Sequence, residues 1–137
     1  MEKLRLQIIT PERIIYDEKV DEVVLPTVEG EIGVLPNHVP LLALVKAGEI
    51  RIKNNKDEIF MATYGGCIEV YPGGVRVLAS TVERVDEIDE LRALEAKKRA
   101  ESLMKEAKDD VAFADAAAYL ERSLARLRVA QRKKKRH

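Results

Sequence analysis

The stretch Ile50–Ala62, which reads IRIKNNKDEIFMA, decides the fold of the first half of the chain. Apolar and charged residues alternate over Ile50–Lys53, which is the period-2 pattern of a half-buried strand. The second run, Glu58–Ala62, is again mostly apolar. The residues between the two runs, Asn54–Asp57, are of the types that form tight turns. The stretch therefore predicts a β-hairpin.

Short runs of the same kind lie on both sides of this hairpin. Leu4, Leu6 and Ile8 alternate with polar residues, as in a half-buried strand. With the two hairpin strands included, the further candidates are Arg13–Tyr16, Val20–Leu25, Gly30–Leu35, Glu49–Lys53, Glu58–Tyr64, Cys67–Tyr71 and Val75–Ala79. Turn residues separate them, and one turn is expected at Asp17–Glu18. No helix-length segment lies between them to form crossovers, so residues 1–85 predict an antiparallel β-sandwich or flattened barrel.

The hydrophobic period changes near residue 86, which predicts an α+β fold with a two-helix antiparallel hairpin over residues 86–137. Two helices are expected, at about 87–107 and 111–132, with an N-cap at Asp109 or Asp110. The apolar stripe of the first helix is Ile88, Leu91, Leu94, Ala100, Leu103 and Ala107, and that of the second is Phe113, Ala117, Leu120, Leu124 and Leu127. Alanines on both helices, among them Ala93 and Ala100, permit close approach of the two axes.

Such a hairpin buries little area by itself. A fully buried apolar side chain contributes only about 1.5–3 kcal/mol, so the hairpin needs the sandwich, a ligand or a partner to fix its position. We therefore expect a movable element.

Charge is unevenly distributed along the 137 residues, although the net charge is zero. Residues 85–137 hold 14 Lys and Arg against 11 Asp and Glu, a net of +3, and the basic groups concentrate at the end, in Arg132–His137. A cluster of one sign indicates an acidic partner: nucleic acid, anionic lipid or an acidic protein surface.

Compartment and membrane association follow from simple counts. Cys67 is the single cysteine, so no internal disulfide can form, and its place in a strand predicts a small buried hydrophobe. The first residues are too charged for a signal peptide, and no apolar run approaches the ~20 residues of a membrane span. We expect an intracellular protein without direct membrane insertion.

Residues for catalysis are not evident. His38 lies in a loop between two prolines, without the cysteine or carboxylate neighbours that would give metal-ligand spacing. No serine has the flanking glycines of a nucleophile elbow, and Gly73–Gly74 is not followed by the Lys-Ser/Thr of a phosphate loop. The sequence predicts a binding protein with no catalytic and no metal site.

The arginines of the helices allow two interpretations. Arg92 and Arg99 are two turns apart on the first helix, and Arg122 and Arg126 are one turn apart on the second. If these faces converge, four guanidinium groups could bind phosphate by charge-assisted hydrogen bonds. The alternative is a solvated charged face with intrahelical pairs such as Asp89–Arg92.

Two segments resemble a known family, the epsilon subunit of F-type ATP synthases (delta in mitochondrial naming). The first is Gly30–Leu42, GEIGVLPNHVPLL, and the second is Ile88–Ala93, IDELRA, which is similar to the motif that opens the C-terminal hairpin of bacterial members. The ending Leu124–Ala130, LARLRVA, is similar too. The resemblance covers essentially the whole chain.

The resemblance implies a non-catalytic subunit on the cytoplasmic face of the cell membrane. In the family, the sandwich binds the gamma subunit and the c-ring and couples proton-driven rotation to ATP synthesis. The hairpin can extend into the alpha-beta hexamer and inhibit ATP hydrolysis, and the basic tail would be attracted to the acidic face of the beta subunits. No cofactor is required.

In some bacterial members the folded hairpin binds ATP as a regulatory ligand. Carried over to this chain, the nucleotide-binding residues would be Glu83, Ile88, Asp89, Arg92, Ala93, Arg99, Arg122 and Arg126.

The alternative function is a stand-alone nucleotide- or nucleic-acid-binding module. The acidic first half and the absence of aromatics among the basic residues disfavour nucleic acid. A small hydrolase would need a nucleophile that is not evident.

Overall fold

The computed structural model describes residues 2–84 and 90–136, with side chains described as far as Gln131. Ten strands precede two helices in the described chain. The strands are β1 Leu4–Ile9, β2 Ile14–Val20, β3 Glu22–Thr27, β4 Gly30–Val34, β5 Leu41–Val45, β6 Gly48–Asn54, β7 Asp57–Thr63, β8 Gly66–Tyr71, β9 Gly74–Ala79 and β10 Val82–Arg84, and the helices are α1 Glu90–Glu106 and α2 Asp110–Arg136.

The strands form one continuous sheet that folds over itself into a sandwich, so the predicted fold class is confirmed. Their order is β10-β7-β6-β3-β5-β8-β9-β1-β2, and β4 pairs with β3 outside this path. Neighbouring strands are antiparallel except β1 and β9, which run parallel. The chain reaches β9 from β1 through all the intervening strands, which is the long connection that a parallel pair needs.

The hairpin predicted from Ile50–Ala62 is β6 and β7. Ile50 pairs with Met61, and Ile52 pairs with Ile59, on either side of a turn at residues 55–56. Asn55 adopts a φ of 59°, a conformation that asparagine tolerates better than most residues. The hairpin is therefore confirmed.

The core of the sandwich lies between the two halves of the sheet. Its fully buried side chains are almost all β-branched or leucine, as expected for a chain without tryptophan. The largest are Leu6, Ile8, Leu25, Ile50, Ile52, Met61 and Ile68. Most of them alternate with residues on the outer faces, which is why the period-2 pattern located the strands.

The turn expected at Asp17–Glu18 is wrong, because β2 runs through both residues to Val20. Asp17 lies opposite β1 and makes a two-pronged ion pair with Arg5 at 3.0 Å. Charged residues are well tolerated on the open side of an edge strand. The chain bends instead at Asp21, where the carboxylate accepts a hydrogen bond from the backbone N–H of Asn55 at 2.7 Å.

Two strands were missed by sequence reasoning. The apolar run Leu41–Val45 is strand β5, and the short β10 pairs with β7. Cys67 does lie in a strand, β8, but the expected burial is wrong, since its side chain is exposed. Ile68 and Val70 take the inward positions of β8, so the alternation places Cys67 outside.

The two helices are joined by residues 107–109, as predicted. Asp109 is the N-cap of α2, because its carboxylate accepts a hydrogen bond from the N–H of Ala112 at 2.7 Å. α2 continues to Arg136, four residues past the expected end, since the tail contains helix-forming Lys and Arg and neither Gly nor Pro. The expected start of α1 at residue 87 lies outside the described residues.

The apolar stripe expected on α1 is wrong for its leucines, but the expected close approach of the two helices through alanines is confirmed. Leu91 is 73% exposed and Leu103 is 43% exposed, whereas Ala93 and Ala100 are completely buried. Small side chains form the contact with α2 because they let the helix axes approach closely, and the larger leucines are left outside.

The helical hairpin is attached to the sandwich by the second half of α2, which packs against β6 and β7. The stripe of α2 accordingly becomes more buried along the helix, from Phe113 at 49% exposed to Leu127 at 8%. A separate small hydrophobic cluster lies at this contact, which we call the α2 contact: Phe60, Ala62, Ala93, Leu127, Val129 and Ala130, with Tyr64 at its margin.

Candidate functional site

A polar cluster borders the α2 contact and joins α2 to the sandwich. Arg126 on α2 forms an ion pair with the carboxylate of Glu83 on β10, and its Nε donates a hydrogen bond to the Tyr64 hydroxyl at 3.2 Å. The Tyr64 hydroxyl in turn donates to Glu83 at 3.3 Å, and the Arg126 guanidinium lies over the Tyr64 ring, 5.6 Å from its centre. Residues from α2, from β10 and from the connection between β7 and β8 are thus mutually bonded.

Burial, hydrogen bonds and charge together shift the pKa values of this cluster. Burial disfavours the charged form of Arg126, but the hydrogen bonds to Glu83 and Tyr64 outweigh it, so the pKa of Arg126 is raised. Burial, together with the negative charge of Glu83, raises the pKa of Tyr64 to about 12. Tyr64 therefore stays protonated and can donate its hydrogen bond throughout the physiological range.

A polar cleft of about 350 Å³ opens beside this cluster. It is lined by Tyr64, Ser80, Thr81, Arg122, Ser123 and Arg126. Arg122 also lies over the ring of Tyr119, at 5.9 Å. Two guanidinium groups at one opening are suited to an oxyanion such as a phosphate.

The predicted nucleotide residues are only partly brought together. Arg122 and Arg126 line the polar cleft, and Glu83 is bonded to Arg126. Arg92 and Arg99 lie on exposed positions of α1 and are not among the cleft residues, while Ala93 is buried in the α2 contact. Ile88 and Asp89 lie outside the described residues.

Sequence reasoning missed Tyr64, Ser80, Thr81 and Ser123, the other residues of the polar cleft. Tyr64 precedes the Gly65–Gly66 pair, and residues 80–81 connect β9 to β10. The sequence of such a connection does not show which other element of the fold it faces. Only the packing of α2 shows that these side chains share a cleft with its arginines.

The outer face of the sheet carries a second feature, an apolar row across five strands. In register, Leu44 on β5 lies beside Cys67, then Leu78, then Ile9 on β1 and finally Ile14 on β2. Leu44 and Ile14 are more than half exposed, at 60% and 56%. Exposed apolar residues in one continuous row mark an interaction surface more strongly than scattered ones.

A largely apolar cavity of about 640 Å³ continues this row at one end. Leu44 and Cys67 belong to both, and Val28, Ile32, Leu41 and Leu42 are among its other lining residues. Leu42 is 79% exposed. The row and the cavity together offer a broad surface to another protein.

The described residues hold neither a metal cluster nor a membrane-spanning helix. Within the described residues, no group of three or more His, Cys, Asp or Glu side chains is placed to hold a metal ion. None of the described helices is both long enough and apolar enough to cross a membrane.

A small sandwich with a docked helical hairpin, an exposed apolar row and an arginine-lined cleft defines a binding protein. Comparison of the chain with known proteins identifies its family. The profile described as "ATP synthase, Delta/Epsilon chain, beta-sandwich domain" matches residues 3–85, and that described as "ATP synthase, Delta/Epsilon chain, long alpha-helix domain" matches residues 86–131. The chain belongs to this family, as an epsilon-type subunit of the F-type ATP synthase central stalk, and it is non-catalytic.

Curated relatives match over nearly the full length. The ATP synthase epsilon chain of Dehalococcoides mccartyi is 44% identical over 136 residues, 98% of this chain and 97% of the relative. That of Syntrophobacter fumaroxidans is 45% identical over 131 residues, 96% of this chain and 98% of the relative. This membership favours a subunit of a complex over a stand-alone nucleotide- or nucleic-acid-binding module.

Solved structures share the fold at lower identity. A chain in the Euglena gracilis mitochondrial ATP synthase structure (OSCP/F1/c-ring, rotational state 1) matches with a TM-score of 0.82 at 21% identity, over 90% of this chain and 78% of that one. A chain from the Tetrahymena thermophila mitochondrial ATP synthase central stalk and c-ring matches with a TM-score of 0.60 at 15% identity, over 96% of each chain.

The raised pKa of Tyr64 predicts a pH dependence of stability. At about pH 9 the tyrosine is neutral in both states; at about pH 11 it ionises in the unfolded chain but keeps its proton when folded. The free energy of unfolding should therefore fall over this range, and Tyr64→Phe should lessen the fall by about 1 kcal/mol after allowance for its partial exposure.

Urea unfolding at the two pH values, followed by helical circular dichroism, measures this fall. Tyr16, whose pKa is also raised to about 12 mainly by burial, should contribute its own share and leave a residual dependence in the variant. An unchanged pH dependence in Tyr64→Phe would show that folding does not raise the pKa of the Tyr64 hydroxyl.

Proposed function

We propose that the chain is a regulatory subunit of the central stalk. Its sandwich docks on the gamma subunit and the c-ring, and its hairpin binds ATP when folded against the sandwich and inhibits ATP hydrolysis when extended into the alpha-beta hexamer. The subunit would act at the cytoplasmic face of the cell membrane as part of the ATP synthase. The observation that carries the regulatory part is the attachment of α2 to the sandwich through a small apolar contact beside an arginine-lined cleft.

The apolar row is the proposed docking surface for gamma. It lies mainly on the half of the sheet made by β5, β8, β9, β1 and β2, whereas α2 packs against β6 and β7. Docking and hairpin movement would therefore use different strands, so that the hairpin could move while the sandwich remains bound. Hydrophobic surface in the stalk would cover the row, since burial of apolar area drives association.

Replacing one residue in the row tests the docking surface. Leu78→Asp places a charge between Cys67 and Ile9 and should weaken binding to purified gamma subunit at least tenfold, as expected for a central interface residue. Leu103→Asp is the matched control, because Leu103 is as exposed as Leu78 but lies on α1.

Calorimetry of each variant with gamma measures the difference. Equal affinities for wild type and Leu78→Asp would place the docking surface elsewhere on the sandwich.

The exposed side chains of the hairpin support a second, extended position. Leu91, Val111 and Phe113 are exposed while the hairpin is folded, and burial of such residues in the alpha-beta hexamer would favour extension. The basic residues at the end of α2 would add attraction to an acidic face of the beta subunits. ATP bound in the cleft would favour the folded position instead, because a ligand that binds one state stabilises that state.

ATP binding is tested most cleanly at Arg122. Arg122→Ala removes a guanidinium from the polar cleft while leaving the Arg126–Glu83 ion pair in place, and it should weaken ATP binding about tenfold or more. Arg128→Ala is the control, since Arg128 lies on the same helix but lines a different cleft.

Titration calorimetry with ATP gives the affinities. An absence of ATP binding to the wild-type chain would overturn the nucleotide part of the proposal and leave its docking part standing.

For the inhibitory part, an ATP synthase assembled with a chain that ends at residue 87 should hydrolyse ATP faster than one with the full chain. Equal rates would contradict inhibition by the hairpin.

A further inference from the structure

The polar cleft has two walls that belong to different parts of the molecule. Arg122, Ser123 and Arg126 come from α2, whereas Ser80 and Thr81 come from the connection between β9 and β10 in the sandwich. Any ligand that fills the cleft must therefore face both the hairpin and the sandwich.

The sandwich wall is held in place by its own backbone. The N–H of Ser80 donates a hydrogen bond to the carbonyl oxygen of Gly65 at 3.1 Å. Gly65 and Gly66 adopt φ values of 131° and 136°, and a Cβ on Gly66 would lie 2.1 Å from the carbonyl oxygen of Leu78. Only glycine allows this close approach, so the connection is preorganised and little order remains to be gained when a ligand binds.

The charges of the cleft favour an anion. Arg122 and Arg126 contribute two positive charges and Glu83, paired with Arg126, contributes one negative charge, which leaves a net of +1. The sandwich adds the exposed hydroxyls of Ser80 and Thr81. The Ser80 hydroxyl donates a long hydrogen bond of 3.5 Å to the carbonyl oxygen of Gly65, which a phosphate oxygen would replace. Phosphate oxygens accept hydrogen bonds from both kinds of group.

We propose that Ser80 and Thr81 bind the phosphate groups of the nucleotide, so that the ligand clamps α2 to the β9–β10 connection. This inference rests on the proposed ATP binding and goes beyond it by assigning sandwich residues to the site. The clamp gives a physical reason why ATP would stabilise the folded hairpin. The ligand contacts both α2 and the β9–β10 connection, and these shared contacts are lost when α2 leaves the sandwich.

The double variant Ser80→Ala/Thr81→Val tests the clamp. It removes both hydroxyls with little change in volume, and ATP affinity should fall about tenfold or more, as expected for lost hydrogen bonds to a charged group. Thr81→Ser keeps a hydroxyl at that position and should retain most of the affinity. Ser102→Ala on the exposed side of α1 is the control and should bind like wild type.

Calorimetry with ATP and with inorganic triphosphate separates the outcomes. Loss of affinity for both ligands in the double variant, with retention in Thr81→Ser, supports phosphate contact. If the wild type binds ATP and the double variant binds it equally well, the clamp is overturned while ATP binding stands. If the wild type binds no ATP, the proposed nucleotide function fails and the clamp fails with it.

Discussion

The packing of α2 on the outer side of β7 is the constraint on which the rest of the structure depends. Met61 points into the sandwich core, while its neighbours Phe60 and Ala62 point outwards and are buried only because α2 covers them. Each large apolar side chain in such a contact contributes about 1.5–3 kcal/mol. Few large side chains take part, so the contact can hold the hairpin in place without fixing it permanently.

The polar cluster fixes the position of α2 within this contact. Hydrophobic packing alone would tolerate small shifts of α2, but Arg126 must meet both Glu83 and Tyr64. Arg126 is part of the polar cleft as well. The same guanidinium thus belongs both to the cluster that borders the α2 contact and to the proposed ligand site. A nucleotide bound in the cleft would therefore act directly on the attachment of α2.

Sequence patterns located much of the fold and less of the site. Period-2 alternation located β6, because one of its faces is buried in the core. The mostly apolar run Glu58–Ala62 located β7, whose two faces are covered by the core and by α2. The acidic pair Asp17–Glu18 predicts a turn, but both residues lie on the edge strand β2, where charged side chains are well tolerated. On α1 the leucines of the expected stripe are exposed, whereas Ala93 and Ala100, the alanines expected to permit close approach of the helices, are buried. Arg122 and Arg126 were identified from their spacing and family resemblance, but Ser80 and Thr81 could not be, because only tertiary packing brings a strand connection next to α2.

We expect α2 to be held on the sandwich more weakly than the strands of the sandwich are held together. Native-state hydrogen exchange of the full chain measures this directly, because a detached hairpin loses the packing that stabilises most helices. The amides of residues 123–130 should exchange through openings that cost less than those of β6 and β7, and ATP should slow exchange in α2 while leaving the core strands unchanged. Equal protection of α2 and the core strands, with no response to ATP, would show a single cooperative unit and contradict the account.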